Sequence, residues 1–512
     1  MSRARSFVRN ISWNYVSAIA DILTFFILTP IVVKHFGATV YAIWVLLHVI
    51  VFYLNFFDLG LYTALVKFVA RFQEVKDINA LNEVIGTTLT MMTVAGIAAF
   101  IASLVLAWLF VPYYFDVTQG MLDTLKLAVM LFGIKLLISF PGSVFRAIFE
   151  GYQRFDVLGV ITTMMTVMTA VAIYIAIRFF DSGILLLAVV EITSAITGII
   201  FYVYIVAKLF PDIKPAFNGV GGENWQRLRS YSWWVAFNEM LAEGASRIDR
   251  LLIPVFISVA MVTPYSLICS VAGAIFLMIG PITEVFFSLS SAIEARGDKN
   301  KLRTLLLKGA KLVMGFSLPV SVAAMAYGEA FMNWWVGAEY VALDGPVLQL
   351  VVVNFLVTAY IITGHNILMA LSRLQGLFVI SVIEVIIAVV LAVLTLPDYG
   401  LTGLAGSLLV ANSLVTFLLR VPYFCRALDQ NIAEYLLDSL LRPLLPVIPA
   451  VATVYVINQV LVSEEIAALV IKGAIVGSVY LFGFYFLSLS KDEKEEYGAH
   501  LREMILGGQA LG

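Results

Sequence analysis

The stretch VAFNEMLAEGASRIDRLLIP, residues 235–254, lies between hydrophobic runs and yet carries several charges. Its charged residues are Glu239, Glu243, Arg247, Asp249 and Arg250. If the stretch is a helix with about 100° per residue, these side chains, except Asp249, fall within roughly a third of the circumference. A charge at the centre of a membrane helix costs about 3 kcal/mol, so five charges facing lipid would cost roughly 15 kcal/mol. A membrane helix with this sequence must therefore turn its charged stripe toward protein or a water-filled cavity.

The composition of the whole chain is that of an integral membrane protein. The 512 residues are 61% hydrophobic and 13% charged, with a mean hydropathy of +0.97. Soluble domains contain about 25% charged residues. The net charge of −2 provides no basic surface for nucleic acid. Cys269 and Cys425 indicate neither a disulfide scaffold nor a zinc site, and no metal or other cofactor is expected.

Apolar runs long enough to cross a bilayer occur about fourteen times, since a membrane helix needs roughly 20 apolar residues. The predicted spans are residues 11–33, 40–66, 84–110, 122–145, 157–178, 184–207, 233–257, 265–290, 309–329, 345–370, 375–396, 400–420, 441–461 and 466–489. The basic N-terminal segment is followed by a run that is too long for a signal peptide and contains Asp21. We therefore interpret this run as the first membrane helix.

Lysine and arginine residues predict the orientation, because they concentrate in cytoplasmic connections. With the N-terminus in the cytoplasm, most of the 32 Lys and Arg residues fall in inner segments, including a cluster from Arg296 to Lys311. The outer connections hold Lys34, Lys126, Arg178 and Lys472. An even number of spans, with both termini in the cytoplasm, preserves this asymmetry.

The seventh predicted span has a counterpart near the N-terminus. At one constant spacing, Asn14 aligns with Asn238, Pro30 with Pro254, Thr39 with Thr263 and Tyr41 with Tyr265. Further along, Arg154 and Arg373 each occupy the fourth inner connection of their half. Parallel repeats of this kind occur in secondary transporters, with the substrate site between the halves. The sequence therefore predicts an all-α integral membrane protein with two six-helix lobes, related by a parallel repeat around a central cavity, plus two extra C-terminal helices.

These observations divide the chain into six parts. They are the N-lobe (1–208), a cytoplasmic linker (209–232), the C-lobe (233–426), an interfacial amphipathic helix (427–440), the two extra membrane helices (441–490) and a cytoplasmic tail (491–512). The interfacial helix is predicted because RALDQNIAEYLLDSLLRP, residues 426–443, has the charge and apolar pattern of a helix that lies on a membrane surface.

Polar residues inside other spans are candidates for the lining of the predicted cavity, because such groups rarely face lipid. The first helix carries Asn14, Ser17, Asp21 and Thr24, and the fifth carries Thr162, Thr166 and Thr169. Further candidates are Lys135, Glu191, Glu284, Glu384, Asn354, Thr358 and His365. Asp58, near the inner end of its helix, is interpreted as a structural cap.

Most of these residues also have a purely structural interpretation. The charges of the seventh helix either bind substrate or neutralise each other. Lys135 either snorkels toward the interface or pairs with a glutamate. His365 is either a core histidine or a proton relay, and the threonine stripe serves either helix packing or contact with a sugar.

Several stretches together resemble the polysaccharide-biosynthesis flippases of the multidrug/oligosaccharidyl-lipid/polysaccharide exporter superfamily. The stretches are PIVVKHFGATVYAIWVLLHVIVFYLNFFDLGLYTALVKFVA (30–70), EGYQRFD (150–156), RIDRLLI (247–253), PYSL (264–267) and EARGDKNKL (294–302). Ala42 departs from the pattern, because relatives often have glycine after the tyrosine. The resemblance covers the whole chain and implies two helical lobes that open alternately to the two sides of the membrane.

The resemblance also implies a cargo, a polyprenyl-diphosphate-linked saccharide carried from the inner to the outer leaflet of a bacterial inner membrane. The implied partners are this lipid-linked saccharide, the lipid bilayer, H⁺ or Na⁺ as a coupling ion, and polysaccharide-assembly enzymes. A diphosphate cannot cross hydrocarbon unaided, and arginine offers it a bidentate, permanently charged partner.

The sequence therefore predicts a flippase of the secondary-transporter type for cell-surface polysaccharide assembly, and not an enzyme. We expect Arg247 and Arg250 to bind the diphosphate with help from Lys135. The acids expected to balance charge or to couple to an ion are Asp21, Glu239, Glu243 and Glu191. The residues expected to contribute polar lining are Asn14, Asn354 and His365.

Three other classes of membrane protein are alternatives to this prediction. A cation-coupled multidrug or small-molecule antiporter of the same fold is the main alternative, since the acids would then bind a cation. A membrane glycan polymerase or ligase would be expected to have a sizeable outer loop, and the outer connections here are short. An ATP-driven pump is disfavoured because the sequence contains no GxxxxGK[ST] phosphate loop.

Overall fold

The computed structural model describes residues 3–115, 118–180, 183–217, 244, 247–294, 296–340, 346–371, 373–463 and 465–495. Within these ranges the chain is almost entirely helical and contains no strand. Helices satisfy their backbone hydrogen bonds internally, as a chain in hydrocarbon must. The predicted all-α class is confirmed.

Eleven helical segments of the described residues are long and apolar enough to cross a membrane. Two of them, Ile19–Asp58 and Gln375–Ala427, each cover two of the predicted spans. Most of the predicted seventh span, 233–257, lies outside the described residues. The multi-pass membrane architecture is confirmed, while the count of fourteen spans stays a prediction.

The helices form two compact units, Met1–Thr263 and Pro264–Gly512. The helices of the first unit are α1 (Arg3–Leu54), α2 (Leu61–Glu74), α3 (Ile78–Val105), α4 (Gln119–Gly151), α5 (Phe155–Phe179), α6 (Gly183–Leu209) and α7 (Ile248–Phe256). The described residues 247–263, which belong to the predicted C-lobe, group with the first unit. The six-part division of the chain stays a prediction.

Two glycines redirect the first part of the chain. Gly37 has a φ of 80° and a ψ of 172°, so α1 consists of two helices joined at a bend. After a short 3₁₀ turn at Asn55–Asp58, Gly60 has a φ of 73° and directly precedes α2. The Asp58 carboxylate accepts the Tyr62 N–H at 3.0 Å. This hydrogen bond gives Asp58 the capping role predicted from the sequence.

The core of the first unit lies where α2, α3 and α4 meet. Its fully covered residues include Ala64, Leu65, Ile85, Ala99, Val144 and Ala147. A Cβ atom at Gly133 of α4 would overlap the side chain of Ser103 on α3. Small residues at such contacts let helix backbones approach closely, which is how membrane helices gain packing energy.

The second unit begins within a long helix and contains the rest of the chain. Its helices are α8 (Val262–Glu294), α9 (Lys299–Trp335), α10 (Val347–Ala370), α11 (Leu374–Val415), α12 (Val421–Ala427), α13 (Ile432–Leu436), α14 (Val447–Val460) and α15 (Ile466–Gly483). Gly400, with a φ of 54°, bends α11 as Gly37 bends α1. π-helical segments at Thr416–Arg420 and Leu437–Leu441 connect α11 to α12 and extend α13.

The two units share details of local backbone geometry. Asp77 caps α3 with φ −87° and ψ 84°, and Asp298 caps α9 with φ −87° and ψ 82°. Arg154 precedes α5 with φ −89° and ψ 52°, and Arg373 precedes α11 with φ −89° and ψ 45°. These matched helix starts support the parallel repeat predicted from the sequence.

The segment predicted as an interfacial helix, 427–440, packs into the second unit along one side. Tyr435 and Ser439 are fully covered, and the Ser439 hydroxyl lies 3.0 Å from the Tyr360 hydroxyl of α10. Leu437 and Leu441 are half exposed on the other side. A location at the membrane surface stays a prediction for this segment.

Candidate transport site

The first unit holds Arg247 against an aromatic ring. The Arg247 guanidinium carbon lies 4.1 Å from the centroid of the Phe52 ring, in the second part of α1. A guanidinium stacked by its face on a ring gains a cation–π interaction and keeps its N–H donors directed outward in its own plane. Glu239 and Glu243, which share the predicted stripe with Arg247, lie outside the described residues.

Arg250 is held by the carboxylate next to it in the sequence. Asp249 is buried, with 6% of its surface exposed, and its carboxylate accepts the Arg250 N–H at 2.7 Å. The Arg250 guanidinium lies 3.5 Å from the same carboxylate oxygen. Arg250 also interacts electrostatically with Tyr41 of α1. A buried carboxylate thus fixes the position of the second arginine.

Hydrogen bonds fasten this part of the chain to α1 and to the segment after α3. The Tyr53 hydroxyl donates to the Gly244 carbonyl at 2.8 Å, and the Thr263 hydroxyl donates to the Ala38 carbonyl at 2.6 Å. The Tyr114 hydroxyl donates to the Leu251 carbonyl. These hydrogen bonds hold the backbone that carries the two arginines within the first unit.

Lys135 lies in a separate cluster, where it pairs with Glu191. The Lys135 ammonium on α4 forms an ion pair with one Glu191 carboxylate oxygen on α6. The other oxygen lies 3.2 Å from Nε2 of His48 on α1. Of the two interpretations of Lys135, the structure shows pairing with a glutamate. His48 was not among the residues singled out by the sequence.

Aromatic rings enclose this cluster on one side. The His48 and Trp44 rings have centroids 4.6 Å apart, and the Phe132 ring lies 5.5 Å from His48. Lys135 Nζ lies 5.6 Å from the Phe132 centroid. The rings place apolar surface beside the ion pair, and apolar surroundings strengthen electrostatic attraction.

The polar stripes predicted on the first and fifth helices face each other. The Thr166 hydroxyl on α5 donates to the Asp21 carboxylate on α1 at 2.8 Å. The hydroxyls of Ser17 and Thr163 lie 3.0 Å apart, and Ser17 donates to the Gly159 carbonyl at 3.1 Å. Asp21 itself is exposed. Thr166 of the predicted α5 stripe thus contacts α1, and the side chain of Asn14 lies outside the described residues.

The second unit contains a polar network of its own. The Asn412 amide donates to the Asn354 side-chain oxygen at 3.0 Å and to the Thr358 hydroxyl at 2.9 Å. The Asn412 oxygen accepts from the Thr416 hydroxyl at 3.2 Å and from Arg420 at 3.4 Å. Arg420 also forms an ion pair with Glu384 on α11. Three predicted lining residues, Asn354, Thr358 and Glu384, are therefore joined through Asn412 and Arg420.

Sequence reasoning missed the members of this network that organise it. Arg420 lies at the end of a predicted span, where a cation has an ordinary interfacial explanation. It is 8% exposed, because the π-helical segment Thr416–Arg420 adds a residue to the turn and directs the side chain inward. His365 interacts electrostatically with Arg420. The side chain of Glu284 lies outside the described residues.

A helical bundle with apolar spans of this length belongs to the class of multi-pass membrane proteins. Solved structures with the same fold include the lipid II flippase MurJ in an inward closed conformation, with a TM-score of 0.68 and 13% identity over 93% of this chain and 99% of that chain. An inward-facing multidrug resistance MATE family transporter of the MOP superfamily has a TM-score of 0.67 and 13% identity over 81% of this chain and 94% of that chain. A mutant of the Vibrio cholerae MATE transporter VcmN has a TM-score of 0.61 and 14% identity over 84% of this chain and 98% of that chain. Likeness at this identity shows a shared fold.

The sequence assigns the family. Residues 27–344 match the family described as Polysaccharide biosynthesis protein, and the chain belongs to that family. No protein of curated function matches the sequence. The chain is therefore a multi-pass membrane protein of this family, and its likeness to the flippase and the transporters is one of fold.

Proposed function

We propose that this protein is a flippase that moves a polyprenyl-diphosphate-linked oligosaccharide from the inner to the outer leaflet of a bacterial inner membrane, by alternating access. Both termini are then cytoplasmic, and the cargo serves cell-surface polysaccharide assembly. The observation that carries the proposal is the pair of arginines on the predicted seventh span, one stacked on Phe52 and one held by buried Asp249.

The charge and geometry of these arginines suit a diphosphate. In the described part of the seventh span, Arg247 and Arg250 outnumber the single acid Asp249. Guanidinium groups bind phosphate oxygens in a bidentate manner and stay charged at every physiological pH. The lipid tail of the cargo would stay in the bilayer, while the charged head group binds to the protein. Lys135 contributes to the same electrostatic field, although its ammonium is paired with Glu191.

The acids are assigned to charge balance or to ion coupling, with H⁺ or Na⁺ as the ion. They are Asp21, Glu191, Glu239 and Glu243. Asn14, Asn354 and His365 are assigned to the polar lining that contacts the saccharide. Enzymes of polysaccharide assembly are the expected protein partners, since they would supply and consume the lipid-linked saccharide.

The test is a leaflet-exchange assay in proteoliposomes with a fluorescent short-chain polyprenyl-diphosphate saccharide and a phospholipid of similar size. We expect wild type to exchange the saccharide lipid but not the phospholipid. Arg250→Ala should abolish the exchange while inserting and purifying like wild type. Arg178→Ala, which removes an exposed arginine at the end of α5, is the matched control and should leave exchange unchanged. Normal exchange by Arg250→Ala would refute the anion-site assignment.

A cation-coupled multidrug antiporter is the second candidate. The observation that favours it is Asp21, an exposed carboxylate in the first membrane helix that accepts one hydrogen bond from Thr166. Such an acid is suited to a cationic substrate or ion. Efflux of an organic cation from the same vesicles, without exchange of any saccharide lipid, would favour the antiporter over the flippase.

A further inference from the structure

His48 is held between two oxygen atoms that both require a proton from its ring. Nδ1 lies 2.8 Å from the Trp44 carbonyl oxygen, one turn earlier in α1. Nε2 lies 3.2 Å from a carboxylate oxygen of Glu191. A carbonyl oxygen only accepts hydrogen bonds, so Nδ1 carries a hydrogen. In a neutral imidazole Nε2 would then present a lone pair to the carboxylate oxygen.

Two lone pairs at this distance repel each other, so a proton must lie between Nε2 and Glu191. That proton belongs either to an imidazolium or to a carboxylic acid. The second carboxylate oxygen of Glu191 is paired with the Lys135 ammonium, which favours the ionised carboxylate. The proton therefore resides on His48, and the cluster consists of two cations around one anion.

Two helices contribute charged groups to the cluster. Lys135 of α4 and Glu191 of α6 act on it directly. Arg247, the residue before α7, stacks on Phe52, one helical turn after His48 on α1. The charged residues of α3 and α5 lie near the helix ends and are Glu83, Asp156 and Arg178, and Arg154 directly precedes α5.

The position of His48 along α1 relates this cluster to the arginines. Tyr41, His48 and Phe52 are seven and four residues apart, so they lie on one face of the helix. Arg250 interacts with Tyr41 and Arg247 stacks on Phe52. An imidazolium at His48 therefore adds positive charge to the face of α1 that carries Tyr41 and Phe52, and an anion bound by the arginines would be attracted to it.

We propose that His48, Glu191 and Lys135 form a proton-binding site whose occupancy increases the affinity of the protein for a diphosphate group. On release, the Nε2–H bond breaks, the proton passes to water, and Nε2 keeps the electron pair. Nε2 and the Glu191 oxygen then repel each other, and the contact opens. About 40% of the His48 side chain is exposed. The link to diphosphate rests on the proposed function, whereas the proton site does not.

Nitrogen NMR of ¹⁵N-histidine-labelled protein tests the proton site. The chain contains four histidines, so His48→Gln assigns the signal of His48 by its loss. We expect both ring nitrogens of His48 to be protonated at pH 7 in wild type. In Glu191→Gln, which removes the carboxylate, we expect a neutral ring at the same pH. A neutral His48 ring in wild type at pH 6 would overturn the proposal, and so would identical spectra of wild type and Glu191→Gln.

Isothermal titration calorimetry with a short-chain prenyl diphosphate, in buffers of different ionisation enthalpy, tests whether proton binding at His48 increases the affinity for the diphosphate. We expect wild type to take up protons on binding and to bind at least about fivefold more weakly at pH 8.5 than at pH 6, as typical site coupling predicts. His48→Gln should show neither effect, while His35→Gln, at an exposed histidine, should match wild type. Equal pH dependence in wild type and His48→Gln would overturn the link. If wild type does not bind the probe at all, the proposed function fails, and the NMR result still judges the proton site.

Discussion

The Lys311 ammonium on α9 lies 2.9 Å and 3.0 Å from the two carboxylate oxygens of Glu493, near the C-terminal end of the described chain. Lys311 is 1% exposed and also lies 2.8 Å from an Asp438 carboxylate oxygen. Asp438 in turn pairs with Arg442. One buried cation therefore connects α9 of the second unit with the 437–441 segment and with the residues after α15. The membrane helices that follow the predicted C-lobe are fastened to it by these charges.

Lys311→Met should destabilise the protein strongly, because it leaves Asp438 and Glu493 as covered carboxylates without their shared cation. Loss of one partner of a buried pair costs about 3–5 kcal/mol. Thermal unfolding in detergent, followed by tryptophan fluorescence, measures the effect. Lys301→Met removes a lysine that is 68% exposed and paired with Asp298, so its midpoint should stay near that of wild type. A midpoint of Lys311→Met equal to that of this control would contradict the role assigned to the buried cation.

The Glu493 pair should also make stability depend on pH. Burial raises the pKa of Glu493, but hydrogen bonds from Ser490 and Lys311 outweigh burial and hold that pKa below its usual value. A lowered folded-state pKa stabilises the protein above the unfolded value of about 4.3, and the stabilisation is lost as pH falls through the folded value. The difference in unfolding midpoint between wild type and Glu493→Gln should therefore be constant near pH 7 and shrink below about pH 4.5. Glu495→Gln, at an exposed position of the same segment, is the matched control, and a trend of equal size in both variants would contradict the role of the Glu493 pair.

Glu384 and Arg420 should be strongly coupled in a double-mutant cycle. Their side chains are 20% and 10% exposed, so removal of either one leaves a poorly solvated charge. We expect a coupling energy of about 1–3 kcal/mol from unfolding of Glu384→Ala, Arg420→Ala and the double variant. The cycle for Lys299 and Asp429, whose side chains are 53% and 78% exposed, should give less than about 1 kcal/mol. Equal coupling energies in the two cycles would contradict the assignment of Glu384 as the partner that stabilises the buried Arg420 charge.

Phe52→Leu should weaken substrate binding, if the proposed function is correct, because Arg247 loses the ring on which it stacks. A cation–π contact contributes about 0.5–2 kcal/mol, which corresponds to roughly a 2- to 30-fold rise in the apparent KM for the saccharide lipid. The maximal rate should change less, since both arginines remain. Phe57→Leu, at a more exposed ring, is the control. An unchanged KM would show that the stack does not position Arg247 for the substrate.

Much of the architecture was predictable because the bilayer restricts the possible structures. A segment inside hydrocarbon must be helical and apolar over a fixed length, so α4, α5 and α6 correspond closely to predicted spans. The repeat was visible in residues such as Pro30 and Pro254, and the matched starts of α3 and α9 support it. The bend at Gly37 falls between two predicted spans, and the bend at Gly400 falls at the first residue of the predicted span 400–420.

The candidate site was predictable only as a set of residues. Lys135, Glu191, Glu384 and Asn354 stood out because a polar group inside an apolar run is costly unless it has a partner. Their partners could not be predicted in the same way. His48 lies within a stretch rich in aromatic residues, and Arg420 lies at the end of a predicted span, where cations are ordinary. Asn412 carries no charge that would mark it as a candidate.

The sequence by itself determined that the chain is a helical membrane protein with charges that cannot face lipid, since hydropathy and helical period are properties of neighbouring residues. The tertiary structure decided which charges meet. Lys135 pairs with Glu191 and His48, Arg420 pairs with Glu384, and Lys311 pairs with Glu493. These contacts depend on which helix faces pack together and where π-helical turns rotate a side chain, and both are set by the packing of distant segments rather than by the residues next to each charge.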